Sequence, residues 1–149
     1  MTLHVSTQRD GGAVLTIRLT GAEVDAIGLT EAEGLADRLD TALWGLAMLR
    51  TGRAVRITPE SRPVDADDLH DVIRDLHKHL IPMLGGIRDA AIRWHRDLGG
   101  STAQLAAAMD SARSTAQDRR EALDRTGPRR TEAARWEAWA SRDLPSSSA

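Results

Sequence analysis

Apolar and polar positions alternate along the start of the chain and then change period. Leu3-His-Val-Ser-Thr-Gln8 and Ala13-Val-Leu-Thr-Ile-Arg-Leu19 repeat every second residue, as half-buried strands do. Between them lies Arg9-Asp-Gly-Gly12, whose Asp-Gly and Gly-Gly steps supply the positive φ of a tight turn. The pattern predicts a β-hairpin, with Val24-Asp-Ala-Ile27 as a short third strand. From Thr30 the period is helical. Thr30-Glu-Ala-Glu33 has capping-box spacing, and Leu35, Leu39, Ala42, Leu43 and Leu46 follow on one helical stripe. A helix is predicted to about Leu49, stopping near Gly52. Arg53-Ala-Val-Arg-Ile-Thr58 alternates again and predicts a last strand, and Pro59 and Pro63 bracket a linker. Residues 1–63 thus form a small α+β unit suited to dimerisation or sensing.

After Pro63 the spacing is helical throughout. Asp65 or Asp67 caps a helix whose stripe is Leu69, Val72, Ile73, Leu76 and Leu80. Pro82 ends or kinks it, and Gly85-Gly86 predicts a further break. The next helix has Ile87, Ala91, Trp94 and Leu98 on one face and closes at Gly99-Gly100. Two short helices follow. Ser101 and Gln104 open the first, whose inner face is Leu105, Ala106 and Met109. Asp110 and Ser111 make the turn. The second runs over about 112–125, with Ala112, Ala116 and Leu123 inward, and ends at Gly127-Pro128. Residues 129–140 predict a final amphipathic helix with Ala133, Trp136 and Ala140 on one side, and Pro145 to Ala149 a disordered end. The fold class is α+β: a small N-terminal β-hairpin/helix/strand unit, then an all-α helix-turn-helix domain over 64–127 with its motif at 101–125, then the C-terminal helix and tail over 128–149.

Charge sharpens this picture. Residues 1–87 carry nine Arg/Lys and thirteen Asp/Glu, a net −4; residues 88–149 carry eleven and nine, a net +2. A basic C-terminal part beside an acidic N-terminal part suits a nucleic-acid-reading end attached to another unit. There is no Cys, which excludes disulfides, thiolate metal sites and Cys nucleophiles. No apolar run reaches membrane-spanning length, and the N-terminus lacks the basic start and apolar core of a signal peptide, so a cytoplasmic location is expected. Lys78 is the only lysine against nineteen arginines, and Asn, Phe and Tyr are absent. That codon bias points to a GC-rich bacterial genome of the actinobacterial kind. With four Trp as its only aromatics, the core is thin, and a homodimer that buries more apolar surface is expected.

The paired helices carry the functional expectation. Arg113, Ser114, Thr115 and Gln117 lie at the exposed leading end of the second helix. Arg reads guanine, Gln reads adenine, and Ser and Thr reach bases or phosphates, so these four are the candidate base contacts. Thr102, Arg119 and Arg120 are the candidate phosphate contacts. The segment Thr102–Leu123, with Gln104-Leu-Ala-Ala-Ala-Met109 followed by Ala112-Arg-Ser-Thr-Ala116, resembles the helix-turn-helix of bacterial transcriptional regulators. The resemblance implies a DNA-binding regulator, most often a dimer, with double-stranded DNA as its partner. It departs from the usual pattern in the turn, where Asp110 and Ser111 stand in place of Gly and an apolar residue. Asp can adopt the left-handed conformation at some cost, so the turn is expected to form.

Other chemistry-bearing residues have plainer readings. His70 and His77 are seven apart beside Asp67 and Asp71, but a metal needs converging ligands, so no metal site or cofactor is expected. Asp65, Asp67, Asp68, Asp71 and Asp75 sit where carboxylates favour a helix dipole, not as an acid–base pair. No phosphate loop and no nucleophile elbow is present, and nothing marks an enzyme. Trp136 and Trp139 suit either packing on the chain's own core or an interface. The alternative function is therefore a non-enzymatic protein-interaction adaptor of a bacterial operon or mobile element. A basic face containing Arg113, Arg119 and Arg120 favours DNA; a neutral apolar groove favours the adaptor.

Overall fold

The two alternating segments pair as expected. In the computed structural model, which describes residues 1–54, 62–125 and 131–141, β1 (Thr2–Thr7) and β2 (Ala13–Arg18) form an antiparallel two-stranded sheet. Gly11 turns the hairpin at φ +84°, and the Asp10 carboxylate accepts from the Gly12 N–H at 2.9 Å. Leu3 faces Ile17 and Val5 faces Leu15, so the large apolar residues share one face. Thr2, His4, Ser6, Thr16 and Arg18 occupy the other, together with Val14.

The expected third strand is instead a helix, α1 (Gly21–Ile27). Thr20 and Glu23 form a capping box: the Thr20 hydroxyl accepts from the Glu23 N–H, and the Glu23 carboxylate accepts from the Thr20 N–H at 2.8 Å. Two satisfied helix-end donors outweigh four residues of alternation. Gly28, at φ +88°, ends α1 and starts α2 (Leu29–Thr51). The capping box expected at Thr30 and Glu33 does not form, because the Gly28 junction puts Thr30 inside the helix. Gly52 closes α2 in the left-handed conformation at φ +65°.

The buried face of α2 is also not the expected one. Gly45 and Met48 are buried, with Trp44 beside them, and they pack on α3 (Ala66–Asp75). A Cβ on Gly45 would stand 2.7 Å from Val72 Cγ1, so the two helices cross at that glycine. Leu39, Leu43 and Leu46 face outward, and Leu35 is half-buried. Met48, Ala54 and Val72 form a core with Trp44, Val64 and Leu76, joining residues on both sides of Pro63. Of the expected strand over 53–58, Arg53 makes an isolated bridge to Pro63, and 55–58 lies outside the described residues.

Asp65 caps α3 as expected and forms a capping box with Asp68. Arg62 holds the Asp68 carboxylate at 2.7 and 2.8 Å. That contact first, then the Asp65 N–H, holds Asp68 below the usual carboxylate range, and the Arg62 guanidinium is pushed above its own. On α3 Val72 is buried but Ile73 points to solvent. Pro82 does not end the helical run. A π-turn (Leu76–Leu80) carries α3 into α4 (Ile81–Asp97), with the Ile81 N–H reaching back five residues to the Leu76 carbonyl. The looser turn accommodates the proline ring and its missing donor. Gly85-Gly86 makes no break. Gly86 is a contact point, since a Cβ there would meet the Ala133 carbonyl at 2.2 Å and the Glu137 nitrogen at 2.8 Å.

That contact seats α7 (Glu132–Ala140), capped by Thr131, against α4. Trp136 packs on the chain's own core, donates to Glu132 Oε1 at 2.9 Å and meets Trp139 edge-on. The buried stripe of α4 is Met83, Gly86 and Ala90, whereas Ala91, Trp94 and Leu98 face solvent and Ile87 is half-buried. Small residues win the inner face because α7 lies so close. Gly99 closes α4 at φ +82°. The expected helix end at Gly127-Pro128 and the tail from Pro145 lie outside the described residues.

Candidate nucleic-acid interface

Ser101 opens α5 (Thr102–Ala108): its hydroxyl accepts from the Gln104 N–H at 3.2 Å, and the Gln104 amide oxygen accepts from the Ser101 N–H at 2.8 Å. The turn forms at the expected place. Asp110 adopts φ +46°, and among the described residues it is the only non-glycine with positive φ. Its backbone N–H and that of Ser111 bond to the carbonyls of Ala107 and Ala106 at 3.2 and 3.0 Å. These bonds meet helix-end acceptors without a glycine, which offsets the left-handed conformation.

Helix α6 (Arg113–Arg125) begins one residue later than expected, and Ala112 is exposed, not inward. Ala116 is fully buried and packs with Leu105, Ala106, Leu123 and Ile92 of α4, with Met109 at the margin. The two alanines let α5 and α6 cross closely. The motif is thus the outer part of a three-helix cluster on α4.

Arginines fasten α6 to α4. Asp89, buried in the middle of α4, pairs with Arg119 and also with Arg88 at 3.2 Å. Arg93 donates to the Leu123 carbonyl at 2.7 Å and to Glu137, tying the ends of α6 and α7 to one side chain. Arg96 bonds Asp97 and Asp124; these contacts push its guanidinium above the ordinary value, Asp97 contributing most. Sequence patterning missed this set. The available signal was Asp89, an acidic residue placed among the small inward positions of an apolar helix. A buried carboxylate requires a partner, and α6 supplies one.

The consequence for the candidate contacts is direct. Arg119 turns inward to pair with Asp89 of α4. Arg120 lies along the start of α5, donating to Thr102 Oγ1 at 3.1 Å. The Thr102 hydroxyl in turn donates to Gln117 Oε1 at 3.2 Å, and Gln117 Nε2 donates to Glu121 at 2.8 Å. Thr102, Gln117 and Arg120 are therefore brought together where the two helices meet. Arg113, Ser114 and Thr115 are exposed at the leading end of α6. The outward face further along carries Asp118, Glu121 and Arg125, so it is mixed in charge. Among the described residues no group of three or more His, Asp or Glu is placed to hold a metal, and no helix is long and apolar enough to cross a membrane.

No family profile matches this chain, and neither a curated protein nor a solved structure does.

Proposed function

We propose that this chain is a sequence-specific DNA-binding transcriptional regulator of the bacterial helix-turn-helix kind, acting as a homodimer and placing α6 in the major groove. One observation carries the reading. The α5–turn–α6 unit is locked on α4 by its alanine crossing and arginine contacts, while Arg113, Ser114, Thr115 and Gln117 stand exposed at the leading end of α6. A rigid helix with a free polar leading end is what base reading requires. The bonds of Gln117 are at the surface, where a base edge can replace them. Thr102 and Arg120 are the phosphate contacts, and Arg119 holds the helix at its angle.

Recovery of genomic DNA bound to the tagged protein supplies the site. On that site Arg113→Ala or Gln117→Ala is expected to cost about 1–3 kcal/mol and relax base preference. Arg120→Ala is expected to weaken all sequences alike and lower the salt slope by about one unit. A wild-type protein without salt-dependent DNA affinity overturns the reading.

The adaptor reading has an observation of its own. Ala91, Ile92, Leu105, Ala108 and Met109 line a mostly apolar groove of about 430 Å³ between α4 and α5, with Arg88 and His95 also in its lining. An apolar segment of a partner protein fits such a groove. Ala108→Arg decides between the two, since Ala108 is exposed and away from the leading end of α6. It leaves DNA affinity intact under the first reading and abolishes partner capture under the second.

A further inference from the structure

Helix α2 is apolar on two opposite faces. One face, Gly45 and Met48, is covered by α3. The opposite face carries Leu39, Leu43, Leu46 and Leu49, exposed by 38, 54, 55 and 65 %. A helix that is apolar all round is normally covered all round. The apolar face of the hairpin is equally bare, with Leu3, Val5, Leu15 and Ile17 each more than half exposed.

Surface area says how much cover is missing. The chain exposes 11062 Å². A compact monomer of its mass exposes about 7,500 Å². If the twenty undescribed residues are assigned the full surface of an extended chain, the rest still exceeds its compact value by about 1,200 Å². One partner in a standard interface gives up about 800 Å². The excess is enough for a stable pairing.

Charge identifies the occupant. Arg50 stands two helical turns after Leu43 at one end of the leucine stripe and Asp40 just beside its other end, and neither side chain has a bond or ion pair among the described residues. A two-fold axis between Leu43 and Leu46 sets Leu43 against Leu46 of the mate. The same axis sets Arg50 against Leu39 of the other copy and within one residue, about 1.5 Å, of the level of its Asp40, on the same flank. The leucines and the charges are satisfied by one operation. We infer that α2 is the dimerisation helix: it packs antiparallel on α2 of a second copy through Leu39, Leu43, Leu46 and Leu49, with Arg50 of each copy beside Asp40 of the other.

This extends the dimeric part of the reading above and is independent of DNA. Light scattering of the full chain over a dilution series reports twice the chain mass at micromolar concentration. Leu43→Arg with Leu46→Arg gives a monomer whose far-ultraviolet circular dichroism is unchanged, because both positions are half exposed in the single chain. Asp40→Arg and Arg50→Asp each weaken dimerisation about tenfold, since every dimer contains the pair twice. Combining the two restores it. A wild-type monomer across the series, a double-arginine variant that stays dimeric, or a charge swap without rescue overturns the inference. A dimer that ignores DNA would sink the functional reading alone, and a monomer that binds DNA would sink this inference and the dimeric part of that reading while leaving DNA binding in place.

Discussion

The two ends of this chain use apolar residues in opposite ways. Around α4, α5 and α6 the apolar positions close on one another: Ile92, Leu105, Ala106, Ala116 and Leu123 are all buried within one chain. In β1, β2 and α2, by contrast, Leu3, Val5, Leu15, Ile17, Leu39, Leu43, Leu46 and Leu49 stay in contact with solvent. The C-terminal cluster also fastens its helices with inward-turned arginines, whereas Arg50 of α2 reaches no partner among the described residues. An apolar stripe alone therefore does not identify a core. A core needs a second surface, and among the described residues none covers the apolar face of the hairpin or the outer stripe of α2.

The largest expected effect sets one region against the other. Leu105→Ala empties a closed core and is expected to cost about 2–5 kcal/mol of unfolding free energy at any protein concentration. Leu43→Ala, at 54 % exposure, is expected to cost about 0.5 kcal/mol or less in the dilute single chain. Its cost should grow with concentration as a dimer forms. Denaturant titrations at two concentrations read both. Equal, concentration-independent losses would erase the contrast.

The two helix-crossing glycines give the next test. Gly86 lies against backbone atoms of α7, which cannot move without moving the helix, so Gly86→Ala is expected to cost about 2–3 kcal/mol. Gly45 lies against the Val72 side chain, which can shift, and Gly45→Ala is expected to cost about 1 kcal/mol. Thermal melts rank them, and the reverse order would mean that α7 is not seated as described.

Breaking the arginine fastening comes third. Asp89→Ala leaves Arg119 without its charged partner and is expected to cost about 2 kcal/mol. Arg119→Ala, which leaves the buried Asp89 carboxylate with Arg88 alone, should cost about as much. A stable Arg119→Ala variant with reduced DNA affinity would return Arg119 to the phosphate contacts. The smallest effect is the pH response of the α3 cap. Asp68 is held below the usual carboxylate range by Arg62, so its contribution is present above that range and is lost as pH falls through the lowered value. Protection factors of the amides at the start of α3, corrected for the intrinsic exchange rate, should fall on acidification in the wild type, and Arg62→Ala should move that fall toward higher pH. An unchanged midpoint would remove the pair from the cap.

Local chemistry was legible residue by residue. The hairpin from Asp10 and Gly11, the cap at Asp65, the Ser101–Gln104 box, the stop at Gly99 and the left-handed Asp110 all follow from backbone preferences that act over three or four residues. The Thr20–Glu23 box is equally local, and it makes a helix of Val24–Ile27 where two-residue alternation predicts a strand. The exposed leading end of α6 could likewise be read from spacing. What spacing cannot say is which of two apolar faces a helix turns inward, because periodicity fixes a stripe and not its partner. On α2 the inner face belongs to Gly45 and Met48, and on α4 to Met83, Gly86 and Ala90, because the helices cross at the two glycines, where a larger residue would collide. Nor does sequence say that Arg119 serves Asp89, thirty residues away, before it can serve anything outside. Those choices belong to the tertiary structure, where burying a charge or a methyl group is decided by whatever the fold brings opposite it.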